Sequence, residues 1–262
     1  MATQHWPATD GAARGRVLLL HGLSSIADSW WRMGPALAAR GWDVTAVDQA
    51  GHGGRPVAGE PTNDILAAAV RELHPEGPDV LVGHSLGAIT ALALLEGDPG
   101  WAGTVVLEDP PSILADRATL RAVADAIEAD ALAVRADPAP VVARVRRDSP
   151  AWDDRDVQWA VQGIAEMDAP PFARRLRALA HEARVPVPDR VVAAAPAAHV
   201  LAATGGRAFL DGGSALSAAD REALARRLPP GHVVEIAGGH CLHRDAPDAW
   251  LAAVGAILDG RV

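Results

Sequence analysis

The chain has 262 residues, 49% hydrophobic and 22% charged, proportions that exclude a disordered, collagen-like or coiled-coil polymer and allow a sizeable core. Its 24 basic and 33 acidic residues give a formal net charge of -9, the wrong sign for a nucleic-acid partner, which needs a basic stripe to meet phosphates. Apart from histidine every basic residue is Arg, and neither Lys nor Tyr occurs, so lysine Schiff-base chemistry and tyrosine acid–base steps are excluded. The single cysteine, Cys241, can form no internal disulfide and fits a reducing compartment. The first ten residues lack the basic start and apolar run of a signal peptide, and the apolar runs fall far short of the roughly 20 residues that span a bilayer. A soluble, cytoplasmic protein with no membrane partner is expected.

Short, β-branched apolar runs at residues 16–20, 43–47, 79–82 and 104–107 alternate with helical patterns at 30–40, 63–74 and 86–96. That alternation is the pattern of βαβ units in a parallel sheet covered on both faces. From 112 to 188 the texture changes to Ala/Arg/Asp-rich helical stretches broken at Pro138, Pro150 and Pro170-Pro171, with no strand pattern. Strands resume at 199–203 and 232–236, with helices at 217–227 and 246–258. The expectation is an α/β core formed by 1–111 and 189–262, interrupted by a helical insertion, 112–188.

The strongest local signal is Gly83-His84-Ser85-Leu86-Gly87, between a predicted strand and a predicted helix, the setting of a G-x-S-x-G nucleophile elbow. Glycines on either side remove the Cβ atoms that would collide in so tight a turn. Ser85 is thereby raised at the helix N-terminus, where the amide of Leu86 can face an oxyanion. A second donor is expected from His21-Gly22-Leu23, after the first strand pattern, with the amide of Leu23 as the candidate. Gly22 would admit close approach of a ligand, while Trp30 and Trp31 would pack beneath the loop or border the pocket mouth.

A serine hydroxyl needs a general base. His240, in Gly238-Gly239-His240 after the last strand pattern, is the candidate, with His243 as its rival. The cluster His240-Cys241-Leu242-His243 has no second Cys or His pair at ligand spacing, so no metal is expected. Three carboxylates compete to orient the base. Asp109 is favoured, at the carboxyl edge of a strand where open α/β sheets gather their sites; Asp211, after the 199–203 strand, and Glu108 are the alternatives.

Together these residues resemble the α/β-hydrolase superfamily over essentially the whole chain. The resemblance rests on His21-Gly22, Asp48-Gln49-Ala50-Gly51-His52-Gly53, the Ser85 elbow, Leu107-Glu108-Asp109-Pro110 and Gly239-His240. It implies a mostly parallel sheet of about eight strands flanked by helices, a helical cap inserted after the sixth strand, and a serine, acid, histidine triad. In most members the acid follows the seventh strand, where this chain has Gly206-Arg207. Haloalkane dehalogenases of one subgroup and zearalenone-type lactonases carry it after the sixth strand, the position Asp109 matches. Asp28-Ser29-Trp30-Trp31 and Glu108-Asp109-Pro110-Pro111 are also similar to segments of zearalenone lactonases.

The resemblance implies a serine hydrolase of carboxylic esters or lactones acting through an acyl-enzyme, on a small-molecule substrate as bulky as a macrolactone, with no metal or organic cofactor, as a monomer or homodimer. Trp152, Trp159, Met167 and Phe172, with Ile113 and Leu114 at the entrance, are candidates for the roof of the substrate pocket. A carbon–carbon bond hydrolase or a cofactor-free perhydrolase could use the same triad. A non-catalytic ligand receptor on the same fold is the rival from another class.

Overall fold

In the computed structural model residues 3–9, 11–57, 59–112, 116–182, 185–194, 197–205 and 209–260 are described. Ile113, Leu114, Gly206 and Arg207 lie outside them. The chain runs through β1 (Thr3–Trp6), β2 (Arg16–Leu20), α1 (Met33–Ala38), β3 (Asp43–Val47), α2 (Asn63–Leu73), β4 (Val80–His84), α3 (Leu86–Gly97) and β5 (Thr104–Glu108). Five helices follow, α4 (Arg117–Ala136), α5 (Pro138–Asp148), α6 (Asp154–Glu166), α7 (Ala169–Leu179) and α8 (Val187–Ala193). Then come β6 (Ala198–Ala203), α9 (Ala218–Arg227), β7 (Val233–Ile236), α10 (Leu242–Asp245) and α11 (Pro247–Leu258).

Seven strands among the described residues form one sheet in the order β1-β3-β2-β4-β5-β6-β7, parallel except for the antiparallel pairing of β1 with β3. The mostly parallel, helix-flanked sheet expected from the alternating pattern is therefore present. β1 carried no signal, because its four residues are polar or aromatic and stay partly exposed at the sheet edge. The strands read as continuous apolar runs because both faces are buried. Leu18, Leu20, Leu81, Val105, Leu107 and Val200 face α2, α3 and α9. Their neighbours Val17, Leu19, Val80, Val82, Val106 and Leu201 face α1 and α11, which is the period-2 alternation of a strand.

Proline sets several helix limits. The expected helix at 30–40 is a 3-10 turn, Ala27–Trp30, followed by a short α1. Pro35 has no amide hydrogen and is tolerated only in a first turn, so α1 starts just before it. In the same way Ala246, at φ -143° before Pro247, separates α10 from α11. Between β5 and β6, helices α4 and α7 enclose a separate apolar cluster built on Leu120, Val123, Ala124, Phe172, Ala173 and Leu176. Val191 of α8 instead packs into the core on the sheet, so the 188/189 boundary falls within α8.

Gly87 holds α3 against β2: a Cβ there would collide with the carbonyl oxygen of Leu20 and come within 2.9 Å of that of His21. Because both obstacles are backbone, Gly87→Ala should destabilise the protein by about 2 kcal/mol. Gly100, whose added Cβ would meet only Asp98 Oδ1 at 3.6 Å, is the control. Gly100→Ala should change stability by no more than about 0.5 kcal/mol. Urea unfolding midpoints of the two variants would check this, and equal midpoints would refute it.

Candidate active site

Strand register assembles the site. Leu20 pairs with Gly83 across β2 and β4, and His84 pairs with Glu108 across β4 and β5. The loop after β2, the turn after β4 and the residue after β5 consequently emerge side by side at one edge. β3 lies on one side of β2 and β4 on the other, so the chain leaves β2 and β4 at a topological switch point, where α/β sheets open a crevice.

Ser85 sits in that turn at φ 51° and ψ -108°, immediately before α3. Its amide donates to the carbonyl of Glu108 at 3.0 Å, fixing the turn to β5. Only three non-glycine residues among those described have positive φ, Ser24, Ser85 and Asp109 at 56°, 51° and 44°, and all three are at this edge. Such conformations cost about 1–3 kcal/mol each. The glycines around Ser85 are needed because a Cβ at Gly83 would collide with the carbonyl of Gly87. Leu86 is the first residue of α3, where helix amides lack intrahelical partners. Neither its amide nor that of Leu23 donates a hydrogen bond among the described residues.

Asp109 is wholly buried, and its carboxylate accepts four hydrogen bonds. Oδ1 receives Ser214 Oγ at 2.6 Å and the amide of Ala203 at 3.3 Å. Oδ2 receives the amide of Ala215 and Nδ1 of His240, each at 2.7 Å. A carboxylate taken out of water needs its lone pairs filled in this way. The Nδ1–H···Oδ2 bond leaves Nε2 of His240 as the acceptor nitrogen. The other carboxylates lie elsewhere: Asp211 is exposed in a 3-10 turn at Phe209–Asp211, and Glu108 binds His243.

Ser85 and His240 border a common cavity of about 910 Å³, roofed by the helices between β5 and β6. Leu23, Leu86, Trp152, Phe172 and Asp211 also line it. A model of the alpha/beta hydrolase family matches residues 17–254. The chain belongs to the alpha/beta hydrolase family. Similar curated proteins are the lipase LipV of Mycobacterium tuberculosis, 34% identical over 144 residues, and the esterase Rv0045c of the same organism, 34% identical over 119 residues. The match takes in 54% of this chain and 52% of LipV, and 43% of this chain and 39% of Rv0045c, so the chain spans about half or less of the relatives it matches. Two solved structures share the fold over nearly the full length. The enol-lactonase of Burkholderia xenovorans LB400 has a TM-score of 0.68 at 17% identity, covering 98% of this chain and 96% of that one. The thermophilic esterase of Thermogutta terrifontis has a TM-score of 0.65 at 20% identity, covering 99% and 93%.

Several residues expected to line the pocket do other work. Trp30 is fully buried between the rings of His243 and Trp250, at centroid distances of 4.5 and 5.9 Å. Trp31 donates to Asp156 at 2.9 Å and lies between Arg32 and Arg155. Met167 packs in the α4–α7 cluster, and neither it nor Trp159 borders the cavity. Gly22 is needed by a neighbour rather than a ligand, since a Cβ there would come within 2.6 Å of the His84 ring.

Sequence reasoning also missed supporting groups. His84 lies 4.7 Å from the His240 ring and donates from Nε2 to the His240 carbonyl at 3.0 Å, which holds the His240 loop. His243, the rival base, is buried against Glu108, which accepts its amide and Nδ1 and also Trp250 Nε1. The Asp48–Gly53 turn braces the loop after β2. Gln49 donates its amide to His21 Nε2 and its side chain to the His21 carbonyl, and Thr90 caps Gln49 Oε1 at 2.8 Å. His21 therefore carries its proton on Nδ1, bonded to the Gly22 carbonyl.

Burial keeps His21, His52, His84 and His243 neutral, with His21 lowered to about 4 and the others well below their ordinary 6.5. In the unfolded chain each would take up a proton near 6.5, so below that pH the unfolded state binds more protons. Stability should be full above pH 6.5 and fall towards pH 4, by up to about 1.4 kcal/mol per pH unit for each histidine. Burial raises the Glu108 carboxyl, which opposes the trend by at most one proton. Urea midpoints at pH 7.5 and pH 5 would check the sign; an equal or higher midpoint at pH 5 would contradict it.

Proposed function

We propose that the protein is a serine hydrolase of carboxylic esters or lactones, with Ser85 as nucleophile, His240 as general base and Asp109 as the acid that orients it. The observation carrying this reading is the 2.7 Å bond between His240 Nδ1 and a fully buried Asp109, on the wall of a cavity shared with the strained Ser85. Relatives named lipase and esterase support ester cleavage. Neighbours of the same fold named an enol-lactonase and an N-acyl homoserine lactone degrading enzyme support the cyclic form of the same bond. A bulky lactone is compatible with a cavity of about 910 Å³.

In the proposed reaction Ser85 Oγ bonds to the substrate carbonyl carbon while its proton passes to His240 Nε2. The carbonyl oxygen takes the negative charge, held by the amides of Leu86 and Leu23. Asp109 stabilises the imidazolium and keeps its own charge throughout. The C–O bond to the alcohol then breaks, and His240 returns the proton to the departing oxygen. A water gives its proton to His240 as its oxygen bonds to the acyl carbon, and Ser85 leaves with that proton as the acid is released. Residues 112–188 act as a cap that decides which substrates enter, with Trp152 and Phe172 on the apolar wall.

Intact-mass labelling with a fluorophosphonate and turnover of p-nitrophenyl esters test this directly. One probe should add to the native protein, and Ser85→Ala and His240→Ala should abolish both labelling and turnover. Asp109→Asn should lower kcat by roughly 10³- to 10⁴-fold, because Nδ1–H loses its charged acceptor. A folded native protein that neither labels nor turns over any ester would leave a ligand receptor on a hydrolase fold as the reading.

A further inference from the structure

Arg244 lies on α10, four residues after His240, and is only 4% exposed although it borders the cavity. Three other arginines reach that cavity and each is matched by a carboxylate: Arg144 by Asp130 at 2.7 Å, Arg175 by Glu182 at 2.6 Å and Arg190 by Glu96 at 2.6 Å. Arg244 forms no ion pair among the described residues. Its Nη2 donates to Ser25 Oγ at 3.2 Å, its guanidinium carbon lies 4.8 Å from the centre of the Trp152 ring, and its Nε is buried without a partner. The nearby carboxylates are engaged elsewhere. Asp245 accepts Trp152 Nε1 and the Gly239 amide. Asp156 accepts Trp31 Nε1 and the Asp153 amide.

A guanidinium has five donors, and burying one with a single hydroxyl and an aromatic face leaves a large desolvation penalty uncompensated. The charge acts on its surroundings: burial does most to keep His21, His84 and His243 neutral, and Arg244 adds to it, as the largest charge effect lowering His21 and His243 and a smaller one at His84. Such a group is matched by an anion that enters the cavity, and the planar fork of Arg fits a carboxylate with two parallel hydrogen bonds. Position adds a constraint. Ser25 is two residues from Leu23 and Arg244 four from His240, so the anion would sit beside the reacting carbonyl.

We propose that Arg244 and Ser25, backed by Trp152, form a carboxylate subsite, and that the natural substrate is an ester or lactone bearing a second, free carboxylate a short spacer from the bond that is cleaved. This rests on the reading of Ser85 as the nucleophile.

Two matched pairs of esters test it: monophenyl adipate against phenyl hexanoate, with the charge on the acyl side, and 4-acetoxybenzoate against phenyl acetate, with the charge on the leaving group. In at least one pair the native protein should favour the anionic member in kcat/KM by about tenfold or more. Arg244→Met should collapse that ratio to near one, and Arg244→Lys should restore part of it by keeping a charge without the fork. A native ratio of one or below in both pairs, or an unchanged ratio in a folded Arg244→Met protein, overturns the proposal. If Arg244→Met does not fold, the native ratios and Arg244→Lys decide. Binding to Ser85→Ala, measured by equilibrium dialysis, separates this proposal from the catalytic reading. The anionic member of a pair should bind about tenfold or more tighter than its neutral partner even if Ser85 never reacts, and equal binding refutes the subsite whether or not Ser85 labels.

Discussion

Four separate segments meet at a single carboxylate with no exposed surface. Asp109 follows β5, Ala203 ends β6, Ser214 and Ala215 lie in the connection after it, and His240 follows β7. Each of the other three gives Asp109 a hydrogen bond, and the amide of Asp109 in turn donates to Leu201 at 2.8 Å. An ionised carboxylate inside a protein is tolerable only when its lone pairs are filled. The need to satisfy Asp109 therefore locks the His240 loop, the 214–215 turn and the end of β6 to one another. Removing any of these donors would disturb the orientation of His240 as well as local stability.

The same edge stores backbone strain. Ser24, Ser85 and Asp109 hold left-handed conformations that ordinary residues avoid, each anchored by parallel strands whose pairings fix where the turns begin. Strain of this kind persists only where surrounding structure over-determines it. Here the buried sheet provides that rigidity, and the Gln49, Thr90 and His21 bonds extend it to the loop after β2.

Charge is distributed unevenly around this edge. Four buried histidines are held neutral, whereas Asp109 collects four donors and the Arg244 guanidinium borders the cavity. Neutral imidazoles such as His84 and His243 serve as hydrogen-bonding braces, whereas His240 has Asp109 on one nitrogen and borders the cavity. The neighbouring imidazoles His84 and His240 are alike in chemistry and differ in that one donates to a backbone carbonyl and the other to a carboxylate.

Local signals were enough for the parts that depend on chain neighbours. The apolar runs gave the core strands, Pro138 and Pro170-Pro171 marked helix starts, and the glycines around Ser85 marked the tight turn. These follow from sterics and period, which act within a few residues. Three choices needed the fold. Which carboxylate faces His240 depends on strand register and on donors more than 90 residues from Asp109, and Glu108, one residue earlier, points to His243 instead. Whether a tryptophan packs in the core or borders the cavity depends on which face of its element is covered, so Trp30 and Trp152 could not be told apart in sequence. That Arg244 is buried without a carboxylate is a statement about everything around it, and only the tertiary structure, by bringing Ser25 and Trp152 to the helix after His240, decides it.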